Sequence, residues 1–163
     1  MVYLDASALV KRYSPENGSD LLDGLFERLP LNRITSSMLG ILEVISILVR
    51  KRNDRRLTSE LFSQAMTELR SETLENEEFR STSITDELIL SSAYLILKHS
   101  INASDAIILR HALNLQHAIE PEGDRLLFWC CDKRLIRAAR VEGVTVFDPE
   151  VETIERFNGL YTG

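Results

Sequence analysis

Leu126-Leu127-Phe128-Trp129-Cys130-Cys131-Asp132 is the most strand-like stretch of the chain. Apolar side chains run through it without alternation and stop on a carboxylate, the pattern of a strand buried on both faces of a sheet. Parallel strands need crossover helices between them, and the flanking sequence supplies these. Asp132 opens a helical segment to Glu142, Gly143 stops it, and Val144 to Phe147 is a further strand before Asp148-Pro149. Upstream, Asn102-Ala103-Ser104-Asp105 opens a helix to about His117, and Glu120 to Asp124, with Pro121 and Gly123, is a loop.

The N-terminus repeats the motif. Met1-Val2-Tyr3-Leu4-Asp5 is a short apolar strand that again ends on an aspartate. Ser14 and Pro15 punctuate the helical turn that follows, and Pro15 to Arg28 reads as a helix with Leu21, Leu22, Leu25 and Phe26 on one face. Pro30 ends it, and Asn32 to Ser36 is a second short strand. Ser37 to Arg52 reads as a helix buried nearly all round. Thr58 to about Glu75 is amphipathic through Leu61, Phe62, Ala65, Met66 and Leu69. Phe79 to Thr85 is a third strand, and Thr85 caps a helix reaching Lys98. The alternation predicts an α/β fold with a central, mainly parallel sheet covered by helices on both faces, as a single domain over residues 1–163.

Composition narrows the function classes. At 163 residues and 44% hydrophobic the chain can bury a real core, which excludes disorder. Its longest uncharged stretch, Leu88 to Leu97, is ten residues, short of the ~18 a membrane span needs. The N-terminus has no basic region followed by an apolar run, so the expected location is the cytoplasm, without a membrane. Adjacent Cys130 and Cys131 make no disulfide framework, and without a second pair they predict neither metal nor redox work. The net charge of −6 argues against passive coating of nucleic acid, but charge is unevenly placed. Residues 50–56 hold five basic side chains and one acid, whereas Glu72, Glu75, Glu77 and Glu78 stand together without a cation.

Four carboxylates carry the functional reading. Ligands of open parallel sheets bind beyond the carboxyl ends of the strands, where Asp5 and Asp132 fall, although each also suits the cap of the following helix. Glu43 is the only charge in the twelve residues from Met38 to Val49. A buried carboxylate of this kind needs a cation, a hydrogen-bond partner or a cleft. Gly40 and Ser46, three residues either side, share its face and leave room for close approach. Asp105 begins a helix beside core-like Ile108 and Leu109, so it faces inward. Four acids converging on one edge stay ionised only around a cation, and an all-oxygen ligand set selects Mg²⁺ or Mn²⁺. The corresponding chemistry is metal-assisted phosphodiester hydrolysis.

The chain resembles PIN-domain nucleases, most closely VapC-type toxins of toxin–antitoxin pairs. The resemblance lies in Leu4-Asp5-Ala6-Ser7-Ala8-Leu9-Val10-Lys11, Leu42-Glu43-Val44, Ala103-Ser104-Asp105-Ala106 and Asp132-Lys133-Arg134-Leu135, continuing through Ala138, Ala139 and Glu142-Gly143-Val144. It implies a three-layer α/β/α fold and a Mg²⁺- or Mn²⁺-dependent endoribonuclease that hydrolyses RNA, for example tRNA or another structured RNA. It also implies a homodimer and a cognate antitoxin protein that blocks the acidic pocket. Asp5, Glu43, Asp105 and Asp132 match the family's catalytic, metal-coordinating acids, and Ser7 matches a small polar residue near metal-bound water. Cys130 departs from the pattern, because a Ser or Thr commonly stands two residues before the fourth acid. The acidic segment from about Glu68 to Phe79 is long for compact members.

Lys11, Arg12, Lys133 and Arg134 follow the two strand-end aspartates and are expected to contact RNA phosphates. The basic cluster from Arg50 to Arg56 is read as RNA or dimer contact at a helix C-terminus. His99, His111 and His117 show no ligand spacing. Three alternatives stay open in the sequence: a non-catalytic binding module with structural acids, a metal-dependent phosphatase, and a DNA nuclease. Ser7 stands where a haloacid-dehalogenase-like phosphatase needs a second aspartate.

Overall fold

The apolar run beginning at Leu126 forms an inner strand of a five-stranded parallel sheet. The computed structural model describes residues 1–162. The strands are β1 (Val2–Leu4), β2 (Ile34–Ser37), β3 (Arg80–Thr82), β4 (Leu127–Trp129) and β5 (Thr145–Phe147). The helices are α1 (Ala6–Tyr13), α2 (Ser19–Arg28), α3 (Met38–Asn53), α4 (Ser59–Leu69), α5 (Asp86–His99), α6 (Ala103–Ile119), α7 (Lys133–Val141) and α8 (Ile154–Thr162). The sheet order is β3-β2-β1-β4-β5, with Tyr3 opposite Thr35 on one side and Phe128 on the other.

Each inner strand is buried on both faces, and its side chains alternate between two cores. Val2, Leu4, Leu127 and Trp129 join α1 to α4 and Phe157 of α8 on one face. Tyr3, Leu126, Phe128 and Cys130 join α5, α6 and α7 on the other. This is the predicted three-layer α/β/α arrangement. The chain leaves β1 toward β2 over the first face and returns from β3 to β4 over the second. A crevice therefore opens between the carboxyl ends of β1 and β4, where the strand order switches direction.

Four expectations need correction. The helix expected from Pro15 starts at Ser19, because Gly18 takes the left-handed conformation at φ +88°. A Cβ there would also meet the Pro149 carbonyl oxygen at 2.5 Å. The amphipathic helix ends at Leu69 and continues as a π-helical turn over Arg70–Leu74. The strand expected over residues 79–85 is paired only over Arg80–Thr82 and is exposed. Finally, α3 is not buried all round: Met38 is 40% and Leu42 61% exposed, because only the Gly40-Ile41-Val44-Leu48 stripe faces the sheet. After Asp148-Pro149, where the sequence pattern shows no further element, α8 closes the chain, and its Phe157 sets an edge against Trp129 at 5.4 Å.

Candidate metal centre

Asp5 leaves β1 as the N-cap of α1 and is 5% exposed. The two readings of this residue are therefore both realised: it caps the helix and it lines the crevice. Its Oδ2 accepts the Ser7 N–H at 3.0 Å, the Ser7 hydroxyl and, more weakly, the Cys130 thiol at 3.6 Å. The Ser7 oxygen in turn accepts the Cys131 N–H at 2.9 Å, tying the end of β1 to the end of β4. Cys130 also reaches the Asp132 carbonyl oxygen at 3.7 Å. The thiol thus occupies the place between the two acids that a hydroxyl was expected to fill, with weaker hydrogen bonds.

Glu43 stands half-buried in the middle of α3, which Ser37 caps through the Gly40 N–H at 2.9 Å. Asp105 lies in the first turn of α6, and its backbone N–H is held by the Asn102 side chain at 2.9 Å. Asp132 is the N-cap of α7, where Oδ1 accepts the Arg134 and Leu135 N–H groups at 2.7 and 2.9 Å. Its Oδ2 makes no hydrogen bond among the described residues.

All four acids line one cleft of about 350 Å³, together with Ser7, Ser46 and Arg50. Their charges oppose one another. Burial, then the charges of Asp5, Asp132 and Glu43, push the Asp105 carboxyl up to about 6. Burial also raises Glu43, with the Asp5 charge adding to it and the Ser104 hydroxyl and Arg50 opposing it. Asp5 is raised by burial against the pull of Ser7 and Cys130. Among the described residues no three of these acids bring oxygens within 4.8 Å of one another. The donor set is all oxygen and open, which fits a hard cation that keeps several waters, such as Mg²⁺ or Mn²⁺.

The basic residues divide. Lys11 is 2% exposed and bridges Glu16 at 3.0 Å and Glu150 at 2.8 Å. Arg12 pairs with Asp23 at 2.7 Å and Glu72 at 2.8 Å. Both are spent on internal ion pairs, which corrects their expected phosphate contact and gives the acidic segment after α4 a structural task through Glu72. Lys133 pairs with buried Asp148, although its side chain stays 63% exposed. Lys133 and Arg134 line a second opening that shares Asp105 and Asp132 with the cleft. Arg50 is the basic residue that reaches the acids. Its signal was its place seven residues after Glu43, two turns along the same face of α3.

A second trio, the Cys131 thiol with the Asp148 and Glu150 carboxylates, gathers within 4.8 Å. Its two acids are already neutralised by Lys133 and Lys11, and burial pushes the Cys131 thiol up to about 12. The trio is a charge network, not a metal site.

The sequence matches the PIN domain family over residues 2–141. No curated protein matches it. Its fold is similar to that of FitAcB from Neisseria gonorrhoeae, with a TM-score of 0.59, 19% identity, and 93% of this chain and 100% of that one covered. It is also similar to VapC20 from Mycobacterium tuberculosis, described as a sarcin-ricin loop cleaving toxin (TM-score 0.59, 13% identity, 85% and 95% covered). A toxin–antitoxin complex from Klebsiella pneumoniae contains a further similar chain (TM-score 0.53, 15% identity, 91% and 98% covered). No helix is long and apolar enough to cross a membrane among the described residues. The match over most of the chain, and the sheet whose switch-point crevice the four acids line, show that this chain belongs to the PIN domain family, whose members are generally nucleases.

Proposed function

We propose that this protein is a Mg²⁺- or Mn²⁺-dependent endoribonuclease and the toxin of a toxin–antitoxin pair. The observation that carries the reading is the meeting of Asp5, Glu43, Asp105 and Asp132, from four different elements, in one cleft at the carboxyl edge of the sheet. Carboxylates gathered in one half-buried cleft are balanced by a divalent cation. When bound there, the cation activates water for attack and steadies the leaving oxygen. The protein's own groups do the rest. Ser7 and Cys130 hold Asp5 through Oδ2, and the α7 cap holds Asp132 through Oδ1, so two of the acids keep fixed directions. Arg50 offsets the negative charge of the cleft and supplies a donor for a phosphate oxygen. Exposed Arg134 offers a second contact at the mouth.

RNA as substrate is supported by the sarcin-ricin loop description of VapC20, and an antitoxin partner by the Klebsiella complex. A homodimer and a cytoplasmic location belong to the same proposal. The test is cleavage of a labelled structured RNA, such as a tRNA pool, with Mn²⁺, with EDTA, and by the Asp5→Asn variant. Cleavage that requires the metal and disappears in the variant supports the reading. Cleavage that survives EDTA, or equal cleavage by the variant, overturns it.

A further inference from the structure

Away from the acids, a pocket of about 490 Å³ opens between β3, the start of α5 and the flank of α6. Thr82, at the carboxyl end of β3, lines it together with Ser83, Arg110, His111 and Asn114. The Arg110 guanidinium makes no ion pair or hydrogen bond among the described residues, and its Nε is fully buried without a partner. A buried donor left unmade is costly, and the two Nη groups of the same guanidinium, unpaired but not sealed, line the pocket where an acceptor from outside can reach them. His111 is only 7% exposed, and its Nδ1 is occupied by the Tyr3 hydroxyl at 2.9 Å. The Tyr3 hydroxyl and Nδ1 share this hydrogen bond, and the other ring nitrogen, Nε2, has no partner among the described residues. Asn114 adds a free amide and Ser83 a free hydroxyl. Glu87 is the one acid on the rim; it is exposed and forms no ion pair with Arg110 within 4.0 Å.

We propose that this pocket binds a phosphate group, gripped by the Arg110 guanidinium, the His111 Nε2 edge and the Asn114 amide. Donors outnumber acceptors there, and a planar guanidinium matches two oxygens of one tetrahedral anion. The pocket's Thr82 ends β3 at the same sheet edge where Asp5 follows β1, and Arg110 and Asn114 follow Asp105 by five and nine residues along α6. At the helical rise these two lie about 8 and 14 Å from Asp105 along the axis. A nucleic-acid strand crossing this edge presents phosphates to both places. Only this choice of source rests on the nuclease reading; the pocket's chemistry does not.

The test follows the Arg110 Nε–H and Asn114 side-chain amide signals in ¹H–¹⁵N spectra during titration with sodium phosphate, with sodium chloride as control. Saturable shifts specific to phosphate are expected, weakened about tenfold in Arg110→Gln, while Mn²⁺ binding at the acids is unchanged. Asn114→Ala, at an exposed position, gives the same test if Arg110→Gln fails to fold. Shifts no larger than with chloride, or midpoints unmoved in the folded variants, overturn the proposal. A short single-stranded RNA in EDTA then separates the sources. Shifts at lower concentration than with inorganic phosphate assign a backbone phosphate, and shifts with inorganic phosphate alone assign a free one. Absence of RNA cleavage would sink the nuclease reading and leave the phosphate titration to stand by itself.

Discussion

Asp105→Asn is expected to make the metal-free protein more stable at neutral pH while weakening its grip on a divalent cation. The Asp105 carboxyl is lifted from 3.8 to about 6 by burial and by the charges of Asp5, Asp132 and Glu43. That difference corresponds to about 3 kcal/mol. Solvent reaching this half-buried group screens part of it, leaving about 1–2 kcal/mol. The sign follows from proton binding. The folded protein holds the proton more tightly than the unfolded chain, so the stability this group contributes at low pH is lost as the pH rises through about 6. Wild type and variant should therefore unfold together at pH 4 in EDTA. At pH 7 the variant should melt about 2–8 °C higher. Its helix start survives, because the Asn102 cap bonds the backbone N–H of residue 105 and not its side chain. Adding Mn²⁺ at pH 7 should reverse the order, since a ligand at 100 times its dissociation constant adds about 2.7 kcal/mol to the protein that binds it. Calorimetry at pH 4, 5, 6 and 7 reads the whole pattern. A stability difference that does not grow between pH 4 and pH 7 would refute the argument that these acids share one field.

Glu43→Gln should abolish RNA cleavage by at least about 100-fold with little change in fold, because Glu43 accepts no backbone cap; a circular dichroism spectrum and a cleavage time course check both halves. Lys11→Met should cost about 1–3 kcal/mol in urea unfolding, since it leaves Glu150 without its buried cation while Glu16 keeps only Lys51. Arg134→Ala, at an exposed position, should leave stability within about 0.5 kcal/mol and raise the KM for RNA. Phe157→Ala should cost about 3 kcal/mol by opening a cavity beside Trp129 and Phe147, measured by thermal unfolding.

The inner strands and their aspartates were legible because burial on both faces leaves a signature of uninterrupted apolar residues, as in Leu126 to Cys131. Glu43 and Asp105 were legible for the opposite reason, as charges set against apolar neighbours. What stayed hidden depended on partners distant in sequence. Lys11 looks like a surface lysine until Glu150 comes beside it, 139 residues later. The exposed face of α3 could not be foreseen from composition, because Met38 and Leu42 are as apolar as the residues that face the sheet. The helix α8 leaves no sequence signature because its anchoring contact, Phe157 against Trp129, is tertiary. Arg50 was visible as charge but not as a neighbour of Glu43, since the cluster around it reads as an ordinary helix end.

The proposed function stands on four carboxylates from four elements forming one divalent-cation site. Isothermal titration of Mn²⁺ into the metal-free protein at pH 7, repeated with Asp5→Asn and Glu43→Gln, tests it most directly. Saturable binding that weakens about 10–100-fold in each variant is expected. No binding by the wild type, or binding that both variants retain in full, would contradict it.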